Sequence, residues 1–144
     1  EISVSDENQA RTSRDLISQF ISNICDQKNL DANNVTLMGF SQGAILSYSV
    51  AFTYPEKIKQ TIALSGYCNE AILPENWQKQ PISGLNIYAA HGSSDMVIPV
   101  EWAKQSASLL KTVADLKFEF HEFDMGHTIS QESFVDMMRW MNNL

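Results

Sequence analysis

At 144 residues, 44% of them hydrophobic, the chain can close one hydrophobic core, and no second compositional block marks another domain. Its formal charge of −7, with acidic and basic residues interspersed and no Lys/Arg cluster, argues against nucleic acid or an anionic membrane surface as the main partner. Cys25 and Cys68 are far apart and form no Cys-x-x-Cys pair, so the expectation is two reduced thiols in a cytoplasmic protein, without zinc or a disulfide framework. No apolar run approaches the roughly 18 residues of a membrane span, and the N-terminus shows no basic segment leading into an apolar one.

In chain order, Asp6 three residues before Gln9 has the form of a capping box. Leu16, Ile17, Phe20, Ile21 and Ile24 then follow at helical spacing, which predicts an amphipathic helix ending near Asn29. Asp31 to Asn34 is turn chemistry. Val35 to Phe40 is nearly continuously apolar, the form of a strand buried on both faces, and is expected to be central. Ala44 to Phe52 reads as a buried helix that stops before Pro55. Thr61 to Ser65 and Leu85 to Ala90 read as the second and third strands, closed by Gly66 and by His91-Gly92. Residues 67–84 between them, with Pro74, Trp77, Pro81 and Gly84, form an irregular excursion with one short helix. Pro99 can open a helix at its first turn, and Trp102, Ala103, Ala107, Leu110 and Val113 continue it. Lys117 to Phe123 alternates as a fourth strand, and Phe134, Met137, Met138, Trp140 and Met141 mark a last helix. Strands alternating with helices predict an α/β fold with about four mainly parallel strands.

Gly39-Phe40-Ser41-Gln42-Gly43 falls between the first strand and the following helix. A serine at the tip of such a turn is held in a strained backbone, and its neighbours two before and two after need to lack bulk, as Gly39 and Gly43 do. Reactive groups of open α/β sheets collect past the carboxyl ends of strands. Ser41 follows the first strand, Asp95 the third and His127 the fourth, in the Ser, Asp, His order of α/β-hydrolases. In that reading His127 takes the Ser41 proton and returns it to the leaving group, while Asp95 fixes the imidazole tautomer. The backbone N–H of Gln42, opening the helix, is placed to receive an oxyanion. Asp124 competes for the acid role, but it shares a loop with His127, whereas Asp95 follows a different strand. His91 is expected to satisfy backbone groups near the site, and His121 to lie beside Glu119 on a polar strand face. Trp77, Trp102 and Tyr67 read as packing residues. Ser41 as an ordinary turn residue is the competing reading.

Gly39-Phe40-Ser41-Gln42-Gly43-Ala44, Leu64-Ser65-Gly66, His91-Gly92-x-x-Asp95-x-Val97-x-Pro99 and Met125-Gly126-His127 together resemble the phospholipase/carboxylesterase family of α/β-hydrolases, which includes acyl-protein thioesterases. The resemblance runs from about Asn34 to the C-terminus. It implies Ser41 as nucleophile, Asp95 as acid, His127 as base and the Gln42 amide as an oxyanion donor, acting without a cofactor on carboxylic esters or thioesters. The implied substrate is a small-molecule or lipid ester or thioester, with an acylated protein as a further candidate. Family members begin with several strands and a His-Gly loop that supplies the other oxyanion donor. This sequence contains neither, and it opens at Glu1, so residues 1–144 are expected to be a single, N-terminally incomplete α/β-hydrolase domain with an exposed sheet edge. Two other readings stay open. One is a catalytically incompetent remnant acting by protein association, homodimerisation included, and the other is a peptidase or lactonase on the same scaffold.

Overall fold

The computed structural model describes residues 4–82 and 84–144, with side chains from residue 6 onward. Glu1, read above as the start of an incomplete chain, lies outside them. The first helix, α1, spans Val4–Lys28, with Asp6 and Glu7 in its first turn and Lys28 in its last. Those charges oppose the helix dipole at each end. The expected capping box is therefore corrected: Asp6 sits inside the helix, where its carboxylate acts on the dipole.

Four strands, β1 (Thr36–Phe40), β2 (Gln60–Leu64), β3 (Asn86–Gly92) and β4 (Lys117–Phe123), form one parallel sheet whose spatial order is the chain order. With right-handed crossovers throughout, that order places every connecting helix on the same face. The helices α2 (Gln42–Thr53) and α3 (Val100–Leu110) accordingly share a core with Ala63, Ile87 and Ala89, and α1 reaches it through Ile21 and Cys25. The last helix, α4 (Gln131–Asn142), covers the opposite face, where Met137 and Trp140 pack on Ile62, Leu64, Tyr88 and Ala90. No helix among the described residues is long and apolar enough to cross a membrane.

Three expectations are corrected by this arrangement. β1 is not central but an edge strand, paired only with β2 among the described residues, and its Met38 and Phe40 are 58% and 40% exposed. The strand buried along its whole length is β2. Second, the apolar face expected on α1 is only partly covered: Ile17, Ile21 and Ile24 pack inward, while Leu16 and Phe20 are exposed. Third, the excursion holds two short 3-10 turns, Glu70–Ile72 and Trp77–Lys79, rather than one helix. Trp77 is nonetheless core, its ring 4.7 Å from that of Phe52. Pro99 caps α3 from outside the first turn, and its carbonyl accepts the Trp102 N–H at 3.0 Å.

Candidate active site

The turn from β1 into α2 is one residue long. Ser41 occupies it at φ 58°, ψ −117°, a left-handed backbone that costs a non-glycine residue about 1–3 kcal/mol. Its N–H donates to the Leu64 carbonyl at 2.8 Å, and its own carbonyl accepts the N–H groups of Ala44 and Ile45. Pinned in this way to β2 and α2, Ser41 makes no side-chain cap, so its hydroxyl is free to face the loops beyond the sheet. The glycine pattern is partly as expected. A methyl group on Gly39 would lie 2.1 Å from the Gly43 carbonyl oxygen, so bulk is excluded there, whereas one on Gly43 would meet nothing within 4 Å. The requirement expected at Gly43 is not found among the described residues; its backbone is what Gly39 must clear.

The loops after β3 and β4 are tied to each other. Ser93 N–H donates to the Phe123 carbonyl at 2.8 Å and Ser94 N–H to that of Met125 at 3.0 Å. The approach is so close that a methyl on Gly92 would fall 2.2 Å from Met125 O, which only a glycine at this position allows. Asp95 and His127, thirty-two residues apart, are thereby brought side by side.

The His127 Nδ1–H donates to Asp95 Oδ2 at 2.7 Å, and the His127 Nε2 lies 3.0 Å from Ser41 Oγ. The three side chains predicted from chain order form one hydrogen-bonded line, Ser41 to His127 to Asp95. Asp124, the competing acid, is exposed. Asp95 has a fully buried side chain, and its Oδ1 accepts the N–H groups of Val97 and Ile98, each at 2.8 Å. Burial alone would raise the Asp95 carboxyl, but the hydrogen bond from His127 and those from Ile98 and Val97 outweigh it and hold it below the ordinary carboxylate value. It is therefore an anion at neutral pH, beside a partly exposed imidazole. The Phe40 ring, 4.8 Å from that of His127, walls the imidazole on one side. Gln42 is the first residue of α2, among the N–H groups that a helix leaves without an internal partner.

Sequence reading missed the second element beside the site. A groove of about 330 Å³ runs from Gln42 along Ile45 and Leu46 of α2 to Gln9 and Ala10 of α1 and Ile72. Helical spacing gave α1 an apolar face but did not say which neighbour that face would meet. Arg11 and Arg14 of α1 fix the groove's far wall by donating to the carbonyls of Ala71 and Ile72. Tyr67 and Trp102 pack edge to face at 5.2 Å, as packing residues do. Cys68 offers no rival nucleophile, because burial, with a smaller contribution from Glu70, pushes its thiol up.

A family model described as Phospholipase/Carboxylesterase matches residues 1–144. The acyl-protein thioesterase 1 of Candida albicans is 29% identical over 138 residues, covering 90% of this chain and 58% of that protein. That of Debaryomyces hansenii is 26% identical over 121 residues, covering 83% and 52%. Among solved structures, a Bacillus cereus carboxylesterase superposes with a TM-score of 0.83 at 19% identity, over 96% of this chain and 63% of that one. The Zea mays acyl-protein thioesterase 2 gives 0.77 at 18%, over 99% and 69%. The chain thus spans a little over half the length of these curated relatives, and at such identities the structures speak for the α/β-hydrolase fold alone. With its whole described length matched, the chain belongs to the phospholipase/carboxylesterase family of α/β-hydrolases.

Proposed function

We propose that this chain carries the nucleophile, base and acid of a serine hydrolase that cleaves carboxylic esters or thioesters, within one α/β-hydrolase domain that is longer in its relatives. The observation that carries the reading is the hydrogen-bonded line from Ser41 Oγ through His127 to Asp95, built from three loops at one end of the sheet. With its hydrogen on Nδ1, held by Asp95, the imidazole presents a bare Nε2 to the serine hydroxyl. Attack of Ser41 Oγ on the substrate carbonyl carbon passes the hydroxyl proton to Nε2, and the resulting oxyanion faces the Gln42 N–H. Collapse expels the alcohol or thiol, which leaves with the proton from Nε2. Water, deprotonated by the same nitrogen, then releases the acid from the acyl-serine.

The names of the relatives, acyl-protein thioesterase and carboxylesterase, support ester or thioester substrates, with a lipid or an acylated protein as the physiological candidate. Both cysteines are buried and unpaired, which favours a cytoplasmic setting. Gln42 supplies one oxyanion donor, and the lack of a second typically costs about 100- to 1,000-fold in rate. The test is intact mass after treatment with a fluorophosphonate. One adduct, abolished in Ser41→Ala, is expected; a folded chain that takes no adduct would overturn the reading. A second reading, association without catalysis, draws on the edge strand β1 with Met38 and Phe40 exposed. It predicts dimers or larger assemblies in light scattering together with no adduct.

A further inference from the structure

His91, the penultimate residue of β3, is wholly buried. Its Nε2 lies 2.8 Å from the Ile98 carbonyl oxygen and 3.3 Å from Asp95 Oδ2. Both neighbours are acceptors, so Nε2 carries a hydrogen, and in the neutral ring Nδ1 is then the acceptor. That Nδ1 is itself buried without a hydrogen-bond partner in the protein. On the adjacent strand, Leu64 is in register with Ala90, and Ser65 N–H donates to the Ala90 carbonyl at 2.9 Å, which makes Ser65 and His91 the next residues along neighbouring strands. Ser65 is also wholly buried, its backbone held at φ 55°, and its Oγ likewise has no partner in the protein. A buried hydroxyl with a hydrogen to give and a buried ring nitrogen able to take one are complementary. Leaving such groups unpaired is costly, which one water bridging them avoids.

We propose that Ser65 and His91 form a buried support for the Asp95 carboxylate. The Ser65 hydroxyl donates to His91 Nδ1 through one internal water, and so locks the Nε2–H tautomer. His91 in turn ties down the 95–98 turn at the Ile98 carbonyl and steadies Asp95 Oδ2, the oxygen that also holds His127. His91 is thus a positioning residue, acting through Asp95 on the imidazole that faces Ser41. The consequence for rate rests on the hydrolase reading above, whereas the hydrogen-bond arrangement does not.

Two measurements test it. In long-range proton–nitrogen spectra of the imidazoles, His91 is expected to carry its hydrogen on Nε2. Ser65→Gly, which suits φ 55° and removes the hydroxymethyl group, is expected to move the His91 Nδ1 resonance. The second compares His91→Gln, whose amide nitrogen reaches about as far as Nε2, with His91→Met, which has no donor. In His91→Met the fluorophosphonate labelling rate is expected to fall on the order of tenfold, the scale seen for outer partners that orient metal-bound histidines. The downfield proton signal of the His127 to Asp95 hydrogen bond should shift or vanish with it, and His91→Gln should restore both. A hydrogen on His91 Nδ1, a His91 Nδ1 resonance unmoved by Ser65→Gly, or a His91→Met protein with unchanged rate and signal would overturn the proposal. So would equal slowing in both variants with the His127 signal intact, which marks a packing role. A wild-type chain that shows both imidazole signatures yet takes no probe would sink the hydrolase reading and leave this arrangement standing.

Discussion

Gly39 and Gly43 are equivalent around Ser41 in the sequence and opposite in space. A side chain at Gly39 would be driven into the backbone of Gly43 and into Ser47 Oγ at 2.6 Å, whereas Gly43 sits in helical backbone with open space where its side chain would be. Gly39→Ala is therefore expected to cost at least the roughly 1–3 kcal/mol of overpacking, and Gly43→Ala to be neutral or stabilising by up to about 1 kcal/mol. Urea denaturation of the two variants measures the difference; equal losses would show that the elbow demands small residues on both sides for another reason. The positions of Ser41, Asp95 and His127 were legible because each follows a strand, and strand order alone brings them to one end of a parallel sheet. The contact between His91 and Asp95 was not legible beyond a general place near the site, since it depends on a turn from Asp95 to Ile98 that folds back on β3. Nor did the strained backbone at Ser65 leave any signal in residue type.

Elements meet through polar seams as well as through apolar faces. α4 begins at Ser130, whose hydroxyl accepts the Ser133 N–H at 3.1 Å, and docks on the sheet where the Tyr88 hydroxyl donates to Asp136 at 2.7 Å. Arg139 bonds both Asp136 and Glu119, and His121 bonds Glu119 at 2.8 Å, so the predicted pairing of His121 with Glu119 belongs to a larger network. Burial would raise the Asp136 carboxyl, yet the hydrogen bonds from Tyr88 and Arg139 hold it below its ordinary value of 3.8. A carboxyl depressed by folding stabilises the fold above its unfolded pKa and loses that contribution as pH falls through the lower folded value. Asp136→Asn should accordingly be less stable than wild type at neutral pH, by about 1 kcal/mol or more, and the gap in melting temperature should close as pH drops below about 3.8. A gap that stays constant with pH would assign the loss to packing. At this scale the sequence misled most at β1, whose apolar run reports what its side chains would bury, not which neighbours lie on its outer side. The alternation in β4 was read correctly, because one of its faces meets α4 and its polar network.

Across the molecule, the order of strands in space is the order in the chain, with every neighbour joined by a crossover on one face. The fold class and the parallel sheet could be read from alternating elements for that reason, while the shape of the 67–84 connection could not, because two 3-10 turns carry no periodic signature. The same monotonic order has a consequence for assembly. β1, α2 and β2 form one unit and β3, α3, β4 and α4 another, joined through the connection that holds Pro74 and Pro81. Ser41 belongs to the first unit, Asp95 and His127 to the second, and neither unit alone contains the hydrogen-bonded line proposed as nucleophile, base and acid. If the chain is interrupted between Leu73 and Pro81, each half should be inert to a fluorophosphonate, and mixing the halves should restore labelling at Ser41 only as β2 and β3 zip together. Labelling by a separate half would break that dependence. On the proposed hydrolase reading, Ser41 would then work as a reporter of sheet closure, its reactivity switching on at the moment the two halves become one molecule.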